Sequence, residues 1–466
     1  MRDATGHRLI HTAVARHAAR TPDAPALLQG DRRLTYRELD RAADAYAAEL
    51  RKLGVGPGTL VPVALDRTPQ LVAVLLGVLK CGAAYAALDL AWPEERLRTV
   101  VAALAPPVGV GEALTGCGIP VWTPGATEAQ GIPGTPSTRE PSRTPAAPET
   151  PTTDQPPTSS NTTPATIFFT SGTTGTPKGV ISPHRATTRL FPPGGSLVGL
   201  GAGRVMVQAA PVAWDAFTLE VWGPLLSGAA CAMSTSRTLL PEELRELIAR
   251  HGADTLWITS SLLNLFVDED PDCFAGLTHV LTGGEVLSPA HIRALLRRHP
   301  DTAVFNGYGP VESCVFATLH RITPADCDRP DGIPLGTPVP DTGVHLVDGE
   351  IWVSGDGLAD GYLGLPEATA ESFTELPRAT AEHPTAAHPT DLDRVRAYRT
   401  GDLGHRGPDG LLYFRGRTDR QVKVAGHRVE PGETEAVARR VPGVRDCAVL
   451  AVDDRLALYY TPDPTT

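Results

Sequence analysis

The sequence contains no apolar run long enough to cross a bilayer. The longest, Leu71 to Leu79, is broken by Gly77 and reads as a core helix. No apolar leader segment follows Met1, since Arg2, Asp3, Thr5, Gly6 and His7 are polar or small. The seven cysteines, at positions 81, 117, 231, 273, 314, 327 and 447, never form a C-x-x-C pair. That spacing argues for reduced thiols in a cytoplasmic protein and against a zinc site. Positive charge is also scarce. Lys and Arg number 42 against 53 Asp and Glu, the net charge is −11, and no basic stripe is present. Nucleic acid and anionic membrane are therefore not expected partners. The length, 466 residues, suffices for two or three domains with a large core.

What is present is concentrated in Phe168–Gly179, where the strand-like Phe168-Phe169-Thr170 runs into Ser171-Gly172-Thr173-Thr174-Gly175-Thr176-Pro177-Lys178-Gly179. Glycines let a backbone approach a ligand, hydroxyls donate, and one lysine adds a point charge, a combination suited to polyphosphate. The common phosphate loop G-x-x-x-x-G-K-[ST] does not fit, because Pro177 precedes Lys178 and Gly179 follows it. An ordinary surface turn is the alternative.

Along the chain, helical and strand-like stretches alternate. Tyr36 to Leu53 has helical spacing, with Thr35 and Glu38 as a capping box, Val61 to Leu65 reads as a strand and Pro69 to Cys81 as a buried helix. Further alternation follows: Val205 to Gln208, a helix from Ala216 to Leu226, a helix from Glu242 to His251, Thr255 to Ile258, Val280 to Leu281 and Ala303 to Asn306. The pattern predicts an α/β fold with a mostly parallel sheet. From about Gly125 to Pro164 the composition shifts to Pro, Thr, Ser and Ala, and is expected to be a disordered excursion. A second is expected at 377–393. After Tyr398 the chain becomes strand-rich, then helical from Gly432 to Val441, as if a second, smaller domain begins.

Taken in order, these motifs resemble a nonribosomal peptide synthetase adenylation domain of the adenylate-forming superfamily. The resemblance spans Leu34 to Leu39, Leu79 to Tyr85 with Asp89, the Phe168–Gly179 loop, and Trp214-Asp215. It continues through Asn306-Gly307-Tyr308-Gly309-Pro310-Val311-Glu312, Gly349 to Leu363, Tyr398 to Leu403 and Gly416 to Lys423. It implies a large core at 1–418 of packed, mostly parallel sheets with helices. A small α+β subdomain would begin at 419–466, with Asp419 as the hinge.

It also implies a chemistry: a carboxylate attacks the α-phosphorus of ATP and displaces pyrophosphate, which needs Mg²⁺ and fixed positive charge. By resemblance, Thr170, Ser171, Gly172, Thr173, Thr174, Gly175 and Lys178 hold the β- and γ-phosphates. Glu312 holds Mg²⁺; its alternative is an acid favoured at a helix start after Pro310. Tyr308 packs on adenine beside Asn306, Gly307 and Gly309, with a plain core aromatic as the alternative. Asp402 accepts the ribose hydroxyls, or else merely forms a turn after Gly401. Arg417 contacts the ribose, and Lys178, Glu312, Asp402 and Arg417 form the catalytic set.

Asp215 sets the substrate class. In amino-acid-activating members an aspartate here pairs with the α-ammonium; an N-cap for a helix starting at Ala216 is the alternative. Trp214 stands where phenylalanine is usual. The remaining pocket positions are Ala216, Leu219, Trp257, Leu281, Gly283, Gly307, Val315 and Phe316. All are apolar, with the glycines leaving space, so a valine-like side chain is expected. The resemblance further implies a peptidyl carrier protein in trans and an MbtH-like activator.

The family's late Asn-Gly-Lys, whose lysine reaches the substrate carboxylate, has no counterpart before Thr466, so the small domain reads as incomplete. Two alternatives to an adenylating ligase follow: an impaired fragment serving as a binding or scaffold component, and an acyl-CoA-type ligase, which Asp215 disfavours.

Overall fold

The computed structural model describes residues 9–124, 160–170, 177–192, 197–377, 394–419, 421–424, 427–452 and 455–462. Among them the chain forms an α/β fold around two large, parallel-rich sheets. In the nine-stranded sheet, Pro25–Gln29, Ala230–Met233, Val205–Gln208, Thr255–Thr259, His279–Gly283 and Ala303–Tyr308 run parallel. Antiparallel strands close both edges. In the seven-stranded sheet, Leu60–Val63, Ala84–Ala87 and Pro164–Thr170 are parallel. Lys178–Pro183 then turns back antiparallel on Pro164–Thr170.

Helices fill the space between these sheets. Thr35 starts the helix Tyr36–Lys52 with a complete capping box: its backbone N–H donates to Glu38 Oε2 at 2.8 Å and its hydroxyl accepts from the Glu38 N–H. Tyr36, Leu39, Ala43, Tyr46 and Leu50 then recur on one buried face. Pro69–Lys80 begins with proline at its first turn and is buried almost all round, as its unbroken apolar sequence requires. One cluster joins these helices, Ile10–Arg20 and Asp215–Ser227 to residues of both sheets. Its largest members are hydrogen-bonded as well as packed: Trp222 Nε1 donates to the Tyr85 hydroxyl at 2.8 Å, and the Tyr36 hydroxyl donates to the Ala229 carbonyl at 2.7 Å.

Three expectations change. Residues 160–164 are not part of an excursion: Asn161 and Thr163 accept backbone bonds from Arg185 and His184, and Pro164 opens a strand. Pro377 likewise ends the strand Phe373–Pro377. The rest of both Pro/Thr-rich stretches, 125–159 and 378–393, lies outside the described residues. The strand-rich stretch after Tyr398 does not begin a separate unit at that point. Arg394–Arg406 pairs with Glu350–Gly355 and Phe373–Pro377, and Leu412–Arg417 pairs with it in turn, completing a five-stranded antiparallel sheet. The small C-terminal subdomain follows as two hairpins, Val422–Val424 with His427–Val429 and Val444–Val452 with Arg455–Pro462, around the helix Pro431–Ala438. No helix among the described residues is long and apolar enough to cross a membrane.

Candidate active site

Ligands of open parallel sheets bind beyond the carboxyl ends of the strands. Here those ends meet. Thr170 and Thr259 finish parallel strands, Gly284 follows one and Gly307 is one residue short of the end of another; all four line a cavity of about 530 Å³. A second cavity of about 500 Å³ shares Gly284, Gly307, Gly309, Asp402, Arg417 and Lys423 with it. The two form adjoining chambers.

Asp215 stands on the wall of the first. It is the first residue of the helix Asp215–Ser227, whose N-cap is Trp214. The reading of Asp215 as the N-cap is therefore corrected. Its Oδ2 accepts the Val315 N–H at 3.0 Å, across a gap of 100 residues in sequence. Burial pushes its carboxyl above the usual carboxylate range, opposed by the Val315 and Ala216 N–H groups and by the positive charge of Lys423. A cation placed in this chamber would therefore meet a carboxylate with unmet demand for charge pairing.

The turn that carries Val315 is strained. Cys314 has φ 51° and Val315 φ 67°, a left-handed conformation that a β-branched residue rarely adopts. Each such residue costs roughly 1–3 kcal/mol and persists only where its surroundings enforce it.

Tyr308 and Asp402 meet between the chambers. The Tyr308 hydroxyl donates to Asp402 Oδ2 at 2.7 Å, while Arg417 donates to Oδ1. Burial, reinforced by the Asp402 charge, holds the Tyr308 phenol well above its ordinary range. Arg417 also donates to both carboxylate oxygens of Asp419, at 2.7 and 2.9 Å. Asn306 is buried and donates to the Pro334 carbonyl at 2.8 Å on the floor of the second chamber.

Glu312 is fully buried in a short 3-10 turn and its Oε1 accepts the Tyr362 hydroxyl at 2.9 Å. The same Tyr362 ring lies 5.4 Å beneath the Lys178 ammonium. Lys178 opens the return strand opposite Thr170. Ser171, Gly172, Thr173, Thr174 and Gly175 lie outside the described residues.

Of the expected side-chain pocket, Ala216, Trp257, Gly307, Val315 and Phe316 line the first chamber. Leu219 and Leu281 do not: they are fully buried in the core cluster behind the wall. Gly283 is not open space either. A Cβ there would overlap the Gly307 carbonyl of the neighbouring strand, and one on Gly307 would overlap the Phe316 ring. The glycines thus allow close approach of backbone and ring; they do not enlarge the pocket.

Three features had no sequence signal of their own. Lys423, the last residue of the Gly416–Lys423 motif, lines both chambers. Arg96 and Trp92 form the rim opposite, stacked at 4.5 Å, and Arg96 reaches Glu433 of the small subdomain at 3.9 Å. Glu220, five residues after Asp215, is buried and accepts the Ala209 and Ala210 N–H groups at 2.9 and 2.8 Å, fixing the segment that leads into Trp214.

Residues 14–363 match the family model for AMP-binding enzyme. The whole chain also superposes on a solved nonribosomal peptide synthetase protein containing adenylation and PCP domains. Their TM-score is 0.82 and identity 32%, covering 98% of this chain and 90% of the other. The chain belongs to the AMP-binding enzyme family, as a nonribosomal peptide synthetase adenylation domain. Another structure of such a protein, bound to a vinylsulfonamide inhibitor, gives a TM-score of 0.84 at 31% identity over 99% of this chain and 78% of that one. In sequence, this adenylation domain is 32% identical to tyrocidine synthase 3 of Brevibacillus parabrevis over 97% of its own length. It is 33% identical to gramicidin S synthase 2 of Brevibacillus brevis over 95%. It spans only 7% and 10% of those two relatives.

Proposed function

We propose that this adenylation domain activates an amino acid at its carboxylate with ATP, releasing pyrophosphate and forming an aminoacyl-adenylate for a carrier protein acting in trans. The observation that carries this reading is Asp215, a carboxylate walled into the same chamber that borders Asp402, Arg417 and Lys423. An α-ammonium at Asp215 would offset the part of its burial cost that the Val315 and Ala216 N–H groups and Lys423 leave, and a fatty acid has no group to do so.

The nucleotide would occupy the adjoining chambers, with Asp402 accepting the ribose hydroxyls, Arg417 beside them, and Asn306, Gly307, Tyr308 and Gly309 around the base. Thr170, Lys178 and the Ser171–Gly175 loop would face the β- and γ-phosphates. Mg²⁺, when bound, would neutralise phosphate charge during displacement. No cluster of three metal-ligating side chains occurs among the described residues. One carboxylate, Glu312, together with phosphate oxygens and water is an ordinary Mg²⁺ arrangement.

The apolar lining from Ala216, Trp257, Val315 and Phe316 favours an uncharged aliphatic side chain, valine-like, with relaxed discrimination of about 1–3 kcal/mol per methylene. Asp419 is the hinge between 1–418 and the small subdomain by family resemblance; it lies just past the end of the five-stranded sheet, where Arg417 donates to both of its carboxylate oxygens. An MbtH-like protein is part of the same reading.

Amino-acid-dependent ATP–pyrophosphate exchange tests it. Exchange with an aliphatic amino acid is expected. Preference for Asp, Glu or Lys would overturn the apolar pocket, and nucleotide binding without any exchange would point to a binding or scaffold role. Thioester formation from an acid lacking an amine would favour the acyl-CoA-type alternative.

A further inference from the structure

Arg189 is wholly buried, yet its hydrogen bonds go to neutral oxygens. It follows directly on the short helix His184–Thr188. Its guanidinium donates to the carbonyls of Ser313 at 2.9 Å, Cys314 at 3.4 Å, Phe316 and Ala186, and to the Thr342 hydroxyl at 3.2 Å. Three of these acceptors belong to one turn, the turn whose Cys314 and Val315 hold left-handed φ angles. A planar five-donor fork suits that task, since it meets several carbonyls at fixed angles at once.

The turn does two things for the chamber. It delivers the Val315 N–H to Asp215, and it lays the Phe316 ring against Gly307. Both contacts are made by residues of the strained turn. Gly357 packs so closely on the guanidinium that a Cβ there would overlap it, which leaves the fork little room to move.

We infer that Arg189 is a positioning residue for the amino-acid pocket: it clamps the strained Ser313–Phe316 turn so that Val315 and Phe316 hold Asp215 and the pocket floor in register. The inference rests on the proposed amino-acid activation, and deepens it by naming what sets substrate fit from outside the chamber. Burial lowers the Arg189 pKa to about 10, still high enough to keep the fork charged at neutral pH.

The test is Arg189→Lys in the full chain, with exchange measured against amino acid and ATP separately. Lysine keeps the charge but cannot span these carbonyls. The KM for the amino acid should rise about tenfold or more while that for ATP moves less than about twofold, as for a misplaced binding wall. Adding Cys314→Gly, which accepts positive φ without strain, should restore part of the loss. A parallel rise in both KM values, with no rescue, would make Arg189 a fold residue only and overturn the inference. Should Arg189→Lys not yield folded protein, Thr342→Val carries the same expectation at smaller amplitude, and an unchanged amino-acid KM there would overturn it. If the unsubstituted protein supports no exchange with any amino acid, the functional reading fails first, and this one with it.

Discussion

Tyr308 and Asp402 lie 94 residues apart in sequence and share one hydrogen bond of 2.7 Å at the junction of the two chambers. With Arg417 on the other oxygen, the Asp402 carboxylate is held on both sides and presents a fixed acceptor edge. Asp402→Ala should therefore weaken ATP binding by about 10- to 100-fold, the range for hydrogen bonds to a charged group. Calorimetric titration with ATP and with 2′,3′-dideoxy-ATP gives the check. The dideoxy analogue should bind the unsubstituted protein as weakly as ATP binds the variant, with little further loss when both changes are combined. Additive losses would remove the ribose role.

Asp215→Ala should abolish measurable exchange or raise the amino-acid KM by about 10²–10³-fold, the scale for removing one partner of a buried charge pair. ATP affinity should stay within about twofold, because uniform loss of substrate binding leaves the other site intact. An equal fall in ATP affinity would show that Asp215 holds the fold generally and would remove the ammonium contact.

Gly307→Ala should destabilise the protein by about 1–3 kcal/mol through overpacking against Phe316. Thermal unfolding of Gly307→Ala alone and combined with Phe316→Leu distinguishes this cause. Partial recovery in the double variant is expected; no coupling would place the strain elsewhere.

Glu220 titrates from an unusual starting point. Burial raises its carboxyl to about 8 in the folded protein from an ordinary 4.5, outweighing its N–H donors and Arg67. The folded state thus holds the proton more tightly than the unfolded chain. Stability from this group is complete below about pH 4.5 and is lost as pH rises through about 8. Glu220→Gln keeps a polar group but cannot ionise, so its melting temperature should fall less between those values than that of the unsubstituted protein. Parallel pH profiles would mean that Glu220 folds in ionised.

Much of the fold was readable from local pattern. The Thr35–Glu38 capping box, the strand Val205–Gln208 and the helix ending at His251 depend on short-range chemistry, and they stand where the spacing puts them. Strand pairing is different. Nothing local says that Arg394–Arg406 pairs with Glu350–Gly355, so the composition change after Tyr398 looked like a new unit. The pocket glycines show the same gap. A missing side chain reads as space, but what fills it at Gly283 is the backbone of a neighbouring strand. Arg189, just past a short helix, and Glu220, within one, look like ordinary polar residues because burial is a tertiary property. Lys423 has only its motif to mark it in the sequence, and which way it faces depends on where the small subdomain sits.

The close seating of Gly283 on Gly307 and of Gly307 on Phe316 divides the pocket into parts that differ in how freely they can change. The main chain at Gly283 and Gly307 makes a floor that cannot be lowered, so a bulkier substrate cannot be admitted by trimming at those two positions. Ala216, Trp257 and Val315 are the adjustable rim. Divergence or engineering toward a new amino acid would run through those three positions, with Trp257 the main source of volume to give up.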